Sequence, residues 1–130
     1  AMKIRKLSLE QILELHVISI QRYGGSDGIR DLGRLESAVA SQSQEVFGDE
    51  LNKTIFEKAA ALIRNLIGDH PFTDGNKRTA MLSGMTLLEI NGYELIAKKG
   101  EVEDFAVKVA VDHFEVVEIA KWLESNSKKR

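Results

Sequence analysis

Apolar residues recur at helical spacing through most of the chain, and this pattern predicts its elements. Ser8 and Gln11 form a capping box ahead of the first periodic stretch, which predicts a helix over about 8–22. Glycines interrupt the pattern within 23–28, because glycine adopts backbone shapes that other residues resist. Asp31 then caps a short second helix, whose apolar positions are Leu32, Leu35, Ala38 and Val39.

A second capping box, made by Thr54 and Glu57, opens a stretch that is apolar on a broad face as far as Ile67. That breadth predicts a central, largely buried helix. Further helices are predicted from 74–77 to Asn91, near 101–111 and over 115–125, with a short extended connector at 93–97. The aperiodic segment 43–53 predicts either an exposed loop or a short hairpin.

These elements predict an all-α fold: a compact single-domain bundle of about six helices. A short extended flap is a possible addition to this bundle. We place the domain over 2–126 and expect the charged tail 127–130 to fray, since it has no apolar side chain. Ala1 precedes Met2 and is interpreted as a cloning scar.

Composition narrows the class of protein. The chain has 43% hydrophobic and 29% charged residues, a net charge of −2 and no cysteine. The near balance of charge gives no overall attraction to nucleic acid or to an anionic membrane, so neither is expected as a direct partner. Without cysteine there is no disulfide and no thiolate-bound zinc. No apolar run approaches the ~20 residues that span a bilayer, and a cytoplasmic location is expected.

The candidate chemistry lies in the polar stretch 70–80, which opens directly onto a predicted helix. A helix N-terminus presents unpaired N–H groups and a positive dipole end, so it attracts anions. Gly75 allows close approach, Asn76 can add a donor, and Arg78 offers a planar fork for phosphate oxygens. Asp74 would repel bare phosphate, but Mg²⁺ bridging its carboxylate to phosphates reverses that sign. The stretch therefore suits a nucleotide–metal complex.

His70 stands just before this stretch and is the candidate general base, because a histidine imidazole can accept a hydroxyl proton near neutral pH. Phe72, apolar among polar neighbours, is expected to turn inward and fix the loop. Each residue has a simpler interpretation on its own: His70 as a surface histidine, Asp74 as an N-cap, Arg78 as a solvated helix residue. Their joint occurrence at one helix entrance favours the functional interpretation.

The stretch resembles the loop motif of the Fic/Doc family, which reads H-x-F-x-[D/E]-G-N-G-R-x-x-R. The matching residues are His70, Phe72, Asp74, Gly75, Asn76 and Arg78. The similarity extends to Leu15-His16, Arg22-Tyr23-Gly24-Gly25, Gly28-Ile29-Arg30-Asp31 with Gly33, Leu35-Glu36-Ser37-Ala38 and Asn91-Gly92. It therefore covers nearly the whole chain and implies the all-α fold of that family.

Two departures indicate which branch of the family the chain resembles. Lys77 replaces a second glycine and Met81 replaces a second arginine, which in AMP-transferring members help to hold a diphosphate. The sequence over 76–80 is similar to the Doc branch of death-on-curing toxins. That resemblance implies transfer of the γ-phosphoryl of ATP, with Mg²⁺ on Asp74, to a threonine of elongation factor Tu. It also implies nucleotide binding by Gly75, Asn76, Lys77 and Arg78, and a Phd-like antitoxin partner.

Two alternatives remain open: transfer of AMP to a protein, and a non-catalytic scaffold that only binds a partner. The family places a target-holding flap where 43–52 lies in this chain, although a plain solvent loop is an equal alternative. His16 belongs to the matching pattern but lies on an apolar helix stripe, so we expect a core histidine without a catalytic role. Met81, Met85 and Leu88 are expected in the core.

Overall fold

Six α-helices and four very short strands make up the described part of the chain, residues 3–130, in the computed structural model. The helices are α1 Leu9–Tyr23, α2 Leu32–Ala40, α3 Ile55–Asp69, α4 Asn76–Ile90, α5 Lys99–Asp112 and α6 Val116–Ser125. The strands are β1 Glu45–Val46, β2 Asp49–Glu50, β3 Tyr93–Leu95 and β4 Ser127–Lys129. The predicted all-α fold is confirmed. The interpretation of Ala1 as a scar lies outside the described residues.

Helix α3 is the centre of the fold, as its broad apolar face predicts. It packs against α2, α4, α5 and α6, and both Ile63 and Leu66 are fully buried. Helix α4 lies closely against it at Gly84, where an added Cβ would clash with the Ile63 side chain. Helices α3 and α4 are joined by the short segment 70–75, so the central pair of helices holds both ends of the polar loop.

Both predicted capping boxes form. The Ser8 hydroxyl accepts the N–H of Gln11 at 3.1 Å, and the Gln11 side chain accepts the N–H of Ser8. Thr54 and Glu57 make the same reciprocal pair at the start of α3. Each box satisfies N–H groups that a helix start leaves without partners, so these local signals place the helix starts correctly.

The second box makes the stability of α3 depend on pH. Hydrogen bonds from the Thr54 backbone, with smaller contributions from its side chain and from Lys53, lower the pKa of Glu57 below 4.5. Its stabilising effect is therefore complete above that value and is lost as pH falls through the lowered pKa. Replacing Glu57 with Gln should cost about 0.3–1 kcal/mol at neutral pH and low salt. In urea unfolding, the difference between this variant and wild type should shrink as pH falls through the lowered pKa of Glu57, and a constant difference would contradict the assignment.

The segment 43–53 forms a short hairpin rather than a plain loop. Strand β1 pairs antiparallel with β2 through Val46 and Asp49, and Phe47 at the turn is fully exposed. The buried Lys58 of α3 ties the hairpin to the core, since its ammonium donates to the Gln42 carbonyl at 2.8 Å and lies 3.2 Å from the Glu50 carboxylate. The base of this hairpin is thus held while its tip projects into solvent.

The prediction that the tail frays is wrong. Strand β4 pairs antiparallel with β3, with Lys129 opposite Tyr93 and Lys128 opposite Glu94, and the N–H of Arg130 donates to the Gly92 carbonyl at 2.8 Å. The physical reason is that the connector after α4 offers a free strand edge, and backbone pairing needs no apolar side chain. The charged side chains of this strand stay exposed, so composition alone could not reveal the pairing.

Candidate functional site

The loop between α3 and α4 is held from outside by the segment that precedes α2. The N–H of Arg30 donates to the Pro71 carbonyl at 2.8 Å, and the N–H of Thr73 donates to the Gly28 carbonyl at 3.0 Å. These bonds form an antiparallel bridge between Ile29 and Phe72. The bridge joins the glycine-containing stretch after α1 to the backbone of the loop.

Arg30 also holds the C-terminal end of α3, a role that sequence reasoning missed. Its Nε donates to the His70 carbonyl at 2.7 Å and its Nη2 donates to the Asp69 carbonyl at 2.9 Å, while Arg34 adds a bond to Asp69 at 3.2 Å. These carbonyls would otherwise lack partners at the helix end. The bonds hold His70 in a left-handed conformation with φ 46°. The sequence signal was the block 28–31, whose arginine lies 40 residues away from its acceptor.

The imidazole of His70 is exposed and, among residues 3–130, is hydrogen-bonded to no other group. It borders a cleft of about 220 Å³ between the C-terminal ends of α3 and α5, together with His113 and Phe114. A proton acceptor must reach the hydroxyl that it deprotonates, so an unengaged, solvent-facing imidazole suits that role. The cleft gives an incoming side chain room to approach.

Phe72 faces inward, where it is 1% exposed and stacks on His16 with ring centroids 3.8 Å apart. His16 is equally buried, and its Nε2 donates to the Asp74 carbonyl at 2.9 Å. Because a carbonyl oxygen only accepts, Nε2 carries the proton. The prediction of a buried, hydrogen-bonded His16 is confirmed. His16 thus packs between α1 and the loop, and its contacts with Phe72 and the Asp74 carbonyl fix the loop against α1.

The Asp74 carboxylate points outward and is ionised at neutral pH. It accepts the N–H of Ser26 at 3.2 Å and the N–H of Gly75 at 2.8 Å. These two bonds, and more weakly the nearby Arg78, lower the pKa of Asp74. Gly25 leaves the room for it, since an added Cβ would lie 2.6 Å from Oδ2. Asp74 is thus fixed at the loop surface with its charge available to a cation.

The described residues 3–130 contain no group of three or more histidine, aspartate or glutamate side chains that could hold a metal by themselves. A metal bound at Asp74 would therefore need further ligands from outside the protein. Mg²⁺ commonly binds through one or two carboxylates, several waters and the oxygens of a substrate phosphate. A single exposed, ionised carboxylate beside a helix N-terminus fits that mode of binding.

The Asn76 side chain makes contacts that the sequence did not reveal. Its side chain is buried, its amide oxygen accepts the N–H of Phe72 at 2.9 Å, and its amide nitrogen donates to the Phe72 carbonyl at 3.0 Å. These two bonds hold the loop backbone, and the anion contact predicted for this side chain stays a prediction. Gly75, with φ 75°, turns the chain into α4, which begins at Asn76.

The two cations of the first turn of α4 face solvent. Arg78 is exposed, its Nη1 donates to the Gly24 carbonyl at 3.3 Å, and its guanidinium lies 5.2 Å from the centre of the Tyr23 ring. Lys77 is exposed beside it, and the described residues place no acid within ion-pair distance of either. A helix N-terminus beside two cations that form no ion pair among residues 3–130 suits the binding of an anion.

Comparison with known proteins agrees with this geometry. The family model described as "Fic/DOC family" matches residues 6–88. The chain is 32% identical over 120 residues to "Protein kinase doc" of Escherichia phage P1, covering 92% of this chain and 94% of the phage protein. It is 41% identical over 90 residues to "Toxin Doc" of Mycolicibacterium smegmatis, covering 69% of this chain. That second match spans 65% of the mycobacterial protein, just under two thirds of its length.

Proposed function

Because the chain belongs to the Fic/DOC family, we propose that it is a Doc-type toxin that transfers the γ-phosphoryl of Mg-ATP to a protein hydroxyl. The observation that carries the proposal is the placement of an unengaged His70 imidazole on the same loop as a helix N-terminus with exposed Lys77 and Arg78. The full-length similarity to a phage protein named as a kinase supports the same chemistry.

Phosphoryl transfer depends mostly on positioning and on neutralising charge, and the loop residues divide these tasks. His70 takes the proton from the attacking hydroxyl. Lys77, Arg78 and the N–H groups at the start of α4 bind phosphate oxygens, while Asp74 is the residue that would hold Mg²⁺. Bound Mg-ATP supplies the phosphoryl group and the metal charge that offsets negative charge on the phosphates.

We propose a threonine of elongation factor Tu as the acceptor, held as an added strand by the hairpin over 45–50. The hairpin supports this proposal because all its residues are exposed, so its strand edges face solvent. Strand addition uses main-chain hydrogen bonds for affinity, so it needs an accessible edge. Lys58 anchors the base of the hairpin beside Glu50, and this contact would limit how far an added strand shifts.

We also propose that a Phd-like antitoxin holds the toxin inactive in the cytoplasm. The mycobacterial relative named as a toxin supports this partnership. Among the described residues, none of the helices has the length and apolar character needed to cross a bilayer. A disordered antitoxin tail that folds on binding would need an exposed apolar surface. Copurification of a small neighbouring-gene product with this protein would test it directly.

The activity test compares ATP labelled on the γ-phosphate with ATP labelled on the α-phosphate, using purified elongation factor Tu as the acceptor. We expect label on the factor from γ-labelled ATP only, and its loss when EDTA removes Mg²⁺. Label from α-labelled ATP would show AMP transfer instead and overturn the kinase proposal. Absence of both labels, with growth inhibition unchanged on replacing His70, would identify a non-catalytic partner-binding protein.

A further inference from the structure

Two cations lie over the ring of Tyr23: Arg78 of α4 and Lys99 of α5, which are well separated along the chain. The ammonium of Lys99, at the start of α5, lies 5.1 Å from the centre of the Tyr23 ring, and the guanidinium of Arg78 lies 5.2 Å from the same centre. Because both distances end at one point, the two charged groups lie within about 10 Å of each other. Tyr23 is therefore a contact that the loop site shares with the start of α5.

Arg78 lies near enough to Asp74 to lower the pKa of that carboxyl, but the two side chains do not form an ion pair. Within residues 3–130, the ion pairs that form involve neither Arg78, Lys77 nor Lys99. Like charges at this separation repel one another, and a π face offsets only part of that repulsion. A bound anion that reaches both Arg78 and Lys99 removes it. Lys77, Arg78 and Lys99 form no ion pairs among residues 3–130, so all three can bind the oxygens of a ligand that carries more than one phosphate.

The N-terminus of α5 does not account for the position of Lys99. The Glu101 side chain already caps that helix by accepting the N–H of Lys98 at 2.9 Å, so the dipole end is occupied by an internal carboxylate. Lys98 and Lys99 are both exposed, yet only Lys99 lies over the Tyr23 ring. The Lys99 ammonium is thus placed by Tyr23 toward the loop, whereas its neighbour is not.

We propose that Lys99 is a polyphosphate-binding residue of the loop site, which holds the di- or triphosphate of a nucleotide together with Lys77 and Arg78. The proposal rests on the nucleotide-dependent function given above and extends its binding site to α5. Polyphosphate is the class of ligand that fits, because cations from two helices that lie at most about 10 Å apart can bind different phosphates of one linked chain.

The test compares Lys99→Ala with Lys98→Ala, two neighbouring exposed lysines of which one contacts Tyr23. Calorimetry at fixed salt measures the affinity of each variant for the Mg²⁺ complex of a non-hydrolysable ATP analogue. We expect about 10-fold weaker binding for Lys99→Ala, near wild-type affinity for Lys98→Ala, and partial recovery for Lys99→Arg. Equal affinity of wild type and Lys99→Ala overturns the proposal, and so does an equal loss at both lysines.

Two further ligands, inorganic tripolyphosphate and AMP, define the class of ligand and separate this inference from the proposed function. Inorganic tripolyphosphate should show the same defect in Lys99→Ala as the ATP analogue, whereas AMP should show almost none. A defect of equal size with AMP would place Lys99 at the nucleoside end and contradict the polyphosphate assignment. If wild type binds tripolyphosphate in a Lys99-dependent way but does not bind the ATP analogue, the proposed function fails while the Lys99 site stands. Binding of neither ligand overturns both.

Discussion

Replacing His70 with alanine is expected to lower the rate of phosphoryl transfer by about 10²–10⁴-fold, the usual contribution of a general base. The imidazole is exposed and the structure gives it no hydrogen bond within residues 3–130, so its removal takes no packing from the core. The bonds from Arg30 go to the His70 backbone carbonyl and remain in the variant. Initial rates of γ-label transfer, measured beside the urea unfolding curve, separate a chemical defect from a folding defect.

His113 provides a matched control for this experiment. It ends α5 in a left-handed conformation with φ 51°, as His70 ends α3 with φ 46°, and both side chains border the same cleft. His113→Ala should therefore show a similar change in stability and near wild-type transfer. Loss of transfer in His113→Ala with activity kept in His70→Ala would move the base to α5. Activity kept in both variants would remove the base from the mechanism.

The helices and their starts could be predicted from sequence because the signals that set them are local. Capping boxes such as Ser8 with Gln11 act over three residues, and the broad apolar stripe of α3 reports burial directly. The inward side chain of Phe72 follows from the same logic, since an apolar ring in a polar loop has one favourable direction. These features could be predicted without knowing which distant residues pack against them.

The remaining features depend on partners that are distant along the chain. Arg30 meets the carbonyls of α3 at a separation of 40 residues, and the tail meets β3 across an edge that composition cannot reveal. Lys99 lies over the ring of Tyr23, 76 residues earlier. In each case the residue type is ordinary and the contact is specified by the packing of helices around α3. The loop motif and the inward Phe72 could therefore be found from sequence, whereas the long-range contact of Arg30 with the end of α3 could not.

Asn76 is the residue for which sequence and structure assign different roles, and its replacement by alanine should have the second large effect. Loss of the amide would leave the buried N–H and carbonyl of Phe72 without partners. Since each such group costs about 1–3 kcal/mol, we expect the free energy of unfolding to fall by about 2–4 kcal/mol. The loop should also lose its fixed shape, so transfer activity should fall with it. Urea unfolding and γ-label transfer measure the two effects.

The control for this variant is Asn65→Ala, because the Asn65 amide only donates to the Ala61 carbonyl of its own helix, at 2.8 Å. Its replacement leaves that carbonyl within the helix ladder and should change stability little. A phosphate-binding Asn76 would give a different signature: a raised KM for ATP with unfolding unchanged. If the Asn76 amide instead holds the Phe72 backbone, the variant should be less stable even without nucleotide, since the lost bonds lie inside the protein. Measuring the unfolding curve without ATP therefore decides between the two roles before any kinetic experiment is run.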